Sequence, residues 1–74
     1  MTTQQKFEAI YKDAENGDAE AQYKLGLAYL RGEGVERHDE TGLEWLTKAR
    51  DQGSVKAQDV LNSYAKAHAV YRLV

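Results

Sequence analysis

Apolar residues recur along this chain at intervals of three and four, the spacing of one face of an α-helix. Phe7, Ile10 and Ala14 follow this spacing near the start, and later segments repeat it. Glycines interrupt the pattern where helices should end. The predicted helices are residues 3–16, 19–30, 39–52 and 55–72. Because the alternation typical of strands is absent, the predicted fold class is all-α.

Local signals support the predicted boundaries. Thr2 and Gln5 have the spacing of a capping box before the first helix. Asp18 and Ser54 are suitable N-caps for the second and fourth helices, since their side chains can accept a hydrogen bond from the first turn. The longest break, residues 32–35, contains two glycines and is interpreted as a turn.

The chain also repeats itself at an offset of 36 residues. Gly17 returns as Gly53 in this register, and three residues of the second helix return in the fourth. Those three pairs are Ala21 with Ala57, Gln22 with Gln58, and Leu25 with Leu61. A fixed offset of this size is typical of stacked helix pairs. Short connections make neighbouring helices antiparallel, so we predict a short antiparallel α/α solenoid of about four helices.

Three motifs together resemble a Sel1-like repeat, an α/α repeat related to the tetratricopeptide group. They are Ala-Gln-Tyr-Lys-Leu-Gly-Leu-Ala-Tyr at 21–29, Gly-Glu-Gly-Val at 32–35, and Trp-Leu-Thr-Lys-Ala at 45–49. The resemblance implies one full repeat at about residues 19–53 with a half-repeat on each side. Residues 1–74 are expected to form a single Sel1-like repeat domain.

The chain departs from the family pattern at several positions. His38 stands where the family has Asp, so Asp39 is expected to take over the cap of the third helix. Gly42 replaces a small Ala, which weakens the helix but lets a neighbour approach closely. Asn62 and Ala65 replace the family's Gly and Tyr in the fourth helix. We interpret that helix as the terminal cap of the stack.

Composition narrows the function classes. The chain has 74 residues, no Cys, and a net charge of −2 from 10 basic and 12 acidic residues. This balance predicts neither a nucleic-acid partner nor binding to an anionic membrane. No apolar run reaches the roughly 20 residues of a membrane span, and residues 1–7 do not resemble a signal peptide. A cytoplasmic location is therefore expected.

Candidate catalytic and metal-binding residues are sparse. His38 and His68 fall on different helices, and neither Ser54 nor Ser63 has a local His partner. We therefore predict no enzymatic activity, no metal and no cofactor. The basic residues Lys66, His68 and Arg72 are interpreted as complementing the helix dipole.

The remaining hypothesis is protein recognition, which the resemblance also implies. The non-core positions of the first helix of each pair should meet a partner, and the predicted partner-binding residues are Tyr23, Leu27, Arg31, Asn62 and Lys66. The resemblance is consistent with an adaptor, a scaffold, or a small bacterial inhibitor of the immunity-protein type. The alternative is a self-associating structural protein, a homodimer formed through exposed solenoid ends that include Tyr71, Leu73 and Val74.

Overall fold

The computed structural model describes residues 2–73, and the side chains of residues 2–67. Within that range the chain forms four helices connected by short turns, and their bounds lie within one residue of the prediction. The helices are α1 (Thr3–Glu15), α2 (Ala19–Arg31), α3 (Asp39–Asp51) and α4 (Val55–Leu73). The predicted all-α fold is confirmed. His68, Tyr71, Arg72, Leu73 and Val74, which entered the predictions, have side chains outside the described residues.

The predicted helix caps are present. Thr2 and Gln5 form both bonds of the capping box. The Asp18 carboxylate accepts from the Ala21 amide at 3.0 Å. The Ser54 hydroxyl accepts from the Ala57 amide at 3.1 Å. The first amides of a helix have no acceptor within that helix, and each of these caps supplies an acceptor for one of them.

The expected shift of the α3 cap to Asp39 is wrong. His38 is the N-cap, and its Nδ1 accepts from the Thr41 amide at 3.2 Å. Asp39 is instead the first residue of α3, where its carboxylate accepts from the Arg37 guanidinium at 2.9 Å. An imidazole nitrogen can replace the usual carboxylate because the cap requires only an acceptor in reach of the amide.

Each helix packs on the next along the chain, so α1 contacts α2, α2 contacts α3, and α3 contacts α4. Small alanines at the centres of the contacts let the helices approach closely. One core cluster is formed by Ala14, Ala21 and Leu25, against which Phe7, Ile10, Tyr11, Tyr29 and Trp45 pack. The other is formed by Leu46, Ala49 and Ala57, against which Tyr23, Leu30, Leu43, Val60 and Leu61 pack.

The turn between α2 and α3 folds back onto the start of α1. Gly32 ends α2 in the left-handed conformation, with φ of 71°. Gly34 has φ of 75°, and a Cβ there would lie 2.9 Å from the Thr3 carbonyl oxygen. Only glycine permits both this conformation and this approach. The turn therefore lies against α1 and closes one end of the space between α1 and α2.

Candidate interaction surface

The close crossing of α2 and α3 is made by two glycines. A Cβ on Gly26 would lie 2.8 Å from the carbonyl oxygen of Gly42 and 2.6 Å from Cγ of Leu46. A Cβ on Gly42 would lie 2.8 Å from the carbonyl oxygen of Gly26. The close approach expected at Gly42 is thus confirmed. It orients α2 relative to α3 and so determines which face of α2 remains open.

Gln22 joins three helices at the opposite end of this contact. Its side chain is buried, with 6% exposed. Its amide donates to the Ala14 carbonyl near the end of α1 at 3.1 Å, and its oxygen accepts from the Gln52 amide at 2.8 Å. Both bonds lie in or near the core, where an unsatisfied polar group would be costly. Gln22 therefore fixes the ends of α1 and α3 relative to α2.

One face of α2 carries Tyr23, Leu27 and Arg31 at intervals of four residues. We call these three residues the open face of α2. Tyr23 and Leu27 are half-buried and Arg31 is exposed. Tyr23 packs against the Leu46 cluster. The structure thus brings three of the predicted binding residues onto one face of one helix.

The other two predicted binding residues lie on a different face of their helix. Asn62 and Lys66 are exposed on α4. In the 36-residue register they correspond to Gly26 and Leu30, which in α2 face α3. Asn62 accepts from the Gln58 amide at 2.8 Å within its own helix. The repeat register therefore separates Asn62 and Lys66 from the open face of α2.

A groove lies between α1 and the open face of α2. Its apolar floor is formed by Phe7, Ile10, Leu27 and Ala28. Its volume is about 240 Å³. This is below the roughly 300–1,000 Å³ of pockets that enclose drug-sized ligands, so the groove suits one or two side chains. We call it the α1–α2 groove.

The rim of the α1–α2 groove is basic. Lys6, Lys24 and Arg31 line it together with Thr3 and a single carboxylate, that of Glu33. Arg31 lies 3.7 Å from Glu33, and both side chains are at least 60% exposed. Within the part of the chain that the structure describes, Lys6 and Lys24 form no ion pair. The rim therefore has more positive than negative charge, although the whole chain is slightly acidic.

Sequence reasoning found Leu27 and Arg31 but missed the remainder of the groove lining. Lys24 could have been found, because it follows the same helical spacing, three residues before Leu27. Phe7 and Ile10 were recognised as apolar positions of the first helix, but their place in a groove, and that of Lys6, could not be predicted. A groove depends on contacts between residues that are far apart in sequence.

Aromatic rings support the groove from below. The Phe7 ring meets Tyr29 edge to face, with centroids 5.7 Å apart, and Tyr11 meets Trp45 similarly at 5.9 Å. Burial raises the pKa of the Tyr29 phenol, and the neighbouring Tyr11 adds to the shift. Trp45 is half-buried against the Leu25 cluster. The floor of the groove is thus held by packed side chains.

The residues that could have carried chemistry have structural roles. His38 and Ser54 cap helices, and Tyr64 donates to the Asp39 carboxylate at 3.3 Å. Burial raises the pKa of Tyr64, and the contact with Asp39 raises it further. Among the described residues, no group of three or more His, Cys, Asp or Glu side chains could hold a metal ion. No helix in the described part of the chain combines the length and apolarity needed to cross a membrane.

Comparison with known proteins agrees with this arrangement of helices. The Sel1 repeat family model matches residues 19–54, which span α2, the turn, α3 and the cap of α4. This chain therefore carries a Sel1 repeat, and the predicted resemblance to Sel1-like repeats is confirmed. Sel1 repeats mediate protein–protein interactions, and the family is not typically enzymatic.

Individual relatives cover most of this chain. The ERAD-associated E3 ubiquitin-protein ligase component HRD3A of Arabidopsis thaliana is 36% identical over 62 residues, 81% of this chain. Sel1-like repeat-containing protein L18 of Acanthamoeba polyphaga mimivirus is 39% identical over 41 residues, 55% of this chain. The crystal structure of a Sel1 repeat protein from Oxalobacter formigenes matches 78% of the chain at 36% identity, with a TM-score of 0.76.

These relatives are much longer proteins. The chain spans 9% of the Arabidopsis protein, 7% of the mimivirus protein and 17% of the Oxalobacter chain. The similarity therefore concerns the repeat and its neighbouring helices.

Proposed function

We propose that this chain is a non-enzymatic adaptor or scaffold module that binds a protein partner through the open face of α2. The observation that carries the proposal is that Tyr23 and Leu27 remain only half-buried after the helices have packed. Apolar side chains that the fold leaves at its surface beside charged ones are typical of protein contact sites.

Close packing and hydrogen bonds hold α2, the helix that carries the open face, in position. The Gly26–Gly42 crossing and the hydrogen bonds of Gln22 hold α2 on both sides. A preordered surface loses less conformational entropy on binding, so a small contact area can still give measurable affinity. A relative named as a component of a ubiquitin ligase is consistent with an adaptor role, because a component acts by contacting other proteins.

Asn62 and Lys66 remain predicted contact residues, but their position in the register suggests a separate contact. They would meet a partner that extends along the outer face of α4. An inhibitor of the immunity-protein type is a narrower form of the same proposal, and no described residue favours it over an adaptor.

Self-association is the competing function. Among the described side chains, Val55 is the large hydrophobic residue left most exposed, at 72%. The outer face of α4 is polar at Gln58, Asn62 and Lys66. Homodimer interfaces are more apolar than contacts with non-obligate partners, so this polar face favours a different protein as the partner.

Site-specific photocrosslinking tests the proposal. A benzophenone amino acid would replace Leu27 in one protein and Glu44, exposed on α3, in a matched control. Both labelled proteins are incubated with extract from the source cells and irradiated. The protein labelled at position 27 should crosslink to a discrete partner, and the protein labelled at position 44 should not. Adding Tyr23→Ala should reduce that product. Equal crosslinking from both positions would contradict the proposal, and a crosslinked dimer of this chain would replace it with self-association.

A further inference from the structure

The α1–α2 groove has a definite chemical character. Its floor is apolar, and its rim carries the cations Lys6, Lys24 and Arg31 against one carboxylate, Glu33. From these features we propose that the groove binds a short peptide segment of a partner protein, in which one apolar side chain is flanked by acidic residues. This inference rests on the proposed protein-binding function and specifies the partner's chemistry.

The length of the groove limits the occupant. Its lining runs from Thr3 to Ile10 on α1 and from Lys24 to Arg31 on α2. At about 1.5 Å per residue, seven residues of helix span roughly 10 Å. An extended peptide advances about 3.3 Å per residue, so about three of its residues lie along the groove.

Charge complementarity selects acidic residues at the two ends of that segment. Lys6 and Lys24 form no ion pair within the described residues, and the Arg31–Glu33 contact is long and exposed. The positive rim is local, because the chain as a whole has a net charge of −2. A carboxylate beside each end of the apolar anchor would meet a cation without displacing an existing strong pair.

The floor selects an apolar side chain for the centre. Leu27 and Phe7 are half-buried there, and the space between them accommodates one branched or aromatic side chain. A polyanion such as a nucleic acid would engage the rim and leave this apolar floor unused. We therefore favour a peptide over other acidic ligands.

Selection from a displayed library of random 12-residue peptides tests the inference on the full chain. Enriched peptides should share a Leu, Ile, Phe or Met with Asp or Glu within two residues of it. The best peptide is then synthesised, and its affinity is measured by fluorescence polarisation.

Two charge variants provide the decisive comparison. Lys24→Gln with Arg31→Gln removes two rim cations, whereas Lys12→Gln with Arg50→Gln removes two cations elsewhere and changes the net charge equally. Because exposed ion pairs are individually weak, the rim variant should bind about 5- to 20-fold more weakly, and the control should be unchanged. Leu27→Ala should also weaken binding, and circular dichroism would verify that each variant is folded.

Several results would overturn the inference. Equal weakening by the rim and control variants would show a response to net charge alone. If the peptide still binds tightly after its Asp and Glu are replaced by Asn and Gln, the rim cations do not contribute to binding. If an oligonucleotide binds as tightly as the peptide, an apolar anchor is not required for binding.

The proposed function can fail separately. If position 27 crosslinks a partner but the selected peptides lack acidic residues, the adaptor role is supported and the acidic peptide is wrong. If acidic peptides bind the groove but position 27 captures no partner, the groove chemistry is supported and the adaptor role is contradicted.

Discussion

The helices α2 and α4 carry the same pattern 36 residues apart. Among the described residues, α2 packs against both α1 and α3, whereas α4 packs mainly against α3. On the face toward the preceding helix the pattern is retained. Ala21 and Ala57 are both buried, Leu25 is fully buried, and Leu61 is half-buried.

On the other face the residues differ. Gly26, which meets α3, corresponds to Asn62 in α4. Gln22 bridges α1 and α3, whereas Gln58 bonds only to Asn62 in the described residues. The alanine and leucine that face the preceding helix are therefore retained in α4, whereas the glycine of the close crossing is not, and the shared glutamine has a different partner.

The first helix, α1, shows the same contrast with α3. In the same register Lys6 occupies the position of Gly42, and Asp13 occupies the position of Ala49. Both are exposed, while both counterparts are buried. A helix could not approach α1 at Lys6 or α4 at Asn62 as closely as α2 and α3 approach each other, because these positions lack the glycine that the crossing requires.

The largest expected difference between the two helices is at their shared leucine. Leu25→Ala should cost about 3–5 kcal/mol, since it removes a fully buried side chain, whereas Leu61→Ala should cost about 1–2 kcal/mol. Urea unfolding followed by circular dichroism measures both. If Leu25→Ala does not fold, Leu25→Met, which nearly conserves volume, should cost less than about 1.5 kcal/mol. Equal losses at the two leucines would contradict the difference in packing.

The glycine of the crossing is expected to show the next largest effect. Gly26→Ala should lower stability by about 1–3 kcal/mol, because the added Cβ would meet backbone and a buried leucine. This loss outweighs the higher helix propensity of Ala, which is worth about 1 kcal/mol. Asn62→Ala, the matched change in α4, should stay within about 0.5 kcal/mol. Thermal melting of both variants provides the measurement. A Gly26→Ala protein more stable than the parent would show that the crossing can relax without cost.

A smaller difference is expected at the paired glutamines. Gln22→Ala leaves the Ala14 carbonyl without this buried donor and should cost about 1–2 kcal/mol. Gln58→Ala removes a hydrogen bond on the exposed surface and should cost less than about 0.5 kcal/mol. Hydrogen exchange at the ends of α1 and α3 should increase in the first variant alone. Unchanged exchange there would exclude Gln22 as the link between these helices.

The smallest expected effect concerns alkaline pH. Because burial raises the pKa of Tyr29, the unfolded chain loses this proton at lower pH than the folded protein does. The resulting stability is fully present below about pH 10 and is lost as pH rises through the folded pKa. Tyr64 shifts in the same direction. Urea unfolding measured from about pH 8 to about pH 11 should show that the free energy of unfolding falls less steeply with pH in Tyr29→Phe than in the parent protein. An unchanged slope would rule out a contribution from Tyr29.

Much of the architecture could be predicted from local sequence. The bounds of all the described helices agreed within one residue, and the caps at Thr2, Asp18 and Ser54 were found. These features depend on hydrogen bonds within about four residues, so a single sequence contains them. The stand-in cap at His38 was missed because imidazole is not a usual cap residue.

The candidate site was only partly predictable. Periodicity placed Tyr23, Leu27 and Arg31 on one face, but it also grouped them with Asn62 and Lys66, which the repeat register assigns elsewhere. Periodicity placed Phe7 on the apolar face of α1, but no local signal indicated that Phe7 and Lys6 line a groove.

The sequence by itself determined the helices, their ends and the repeat that stacks them. The tertiary structure decided which faces meet, how closely α2 approaches α3, and where the basic groove opens. The physical reason is range: helix formation and capping depend on neighbours within one turn, whereas a crossing or a groove depends on side chains brought together from distant parts of the chain.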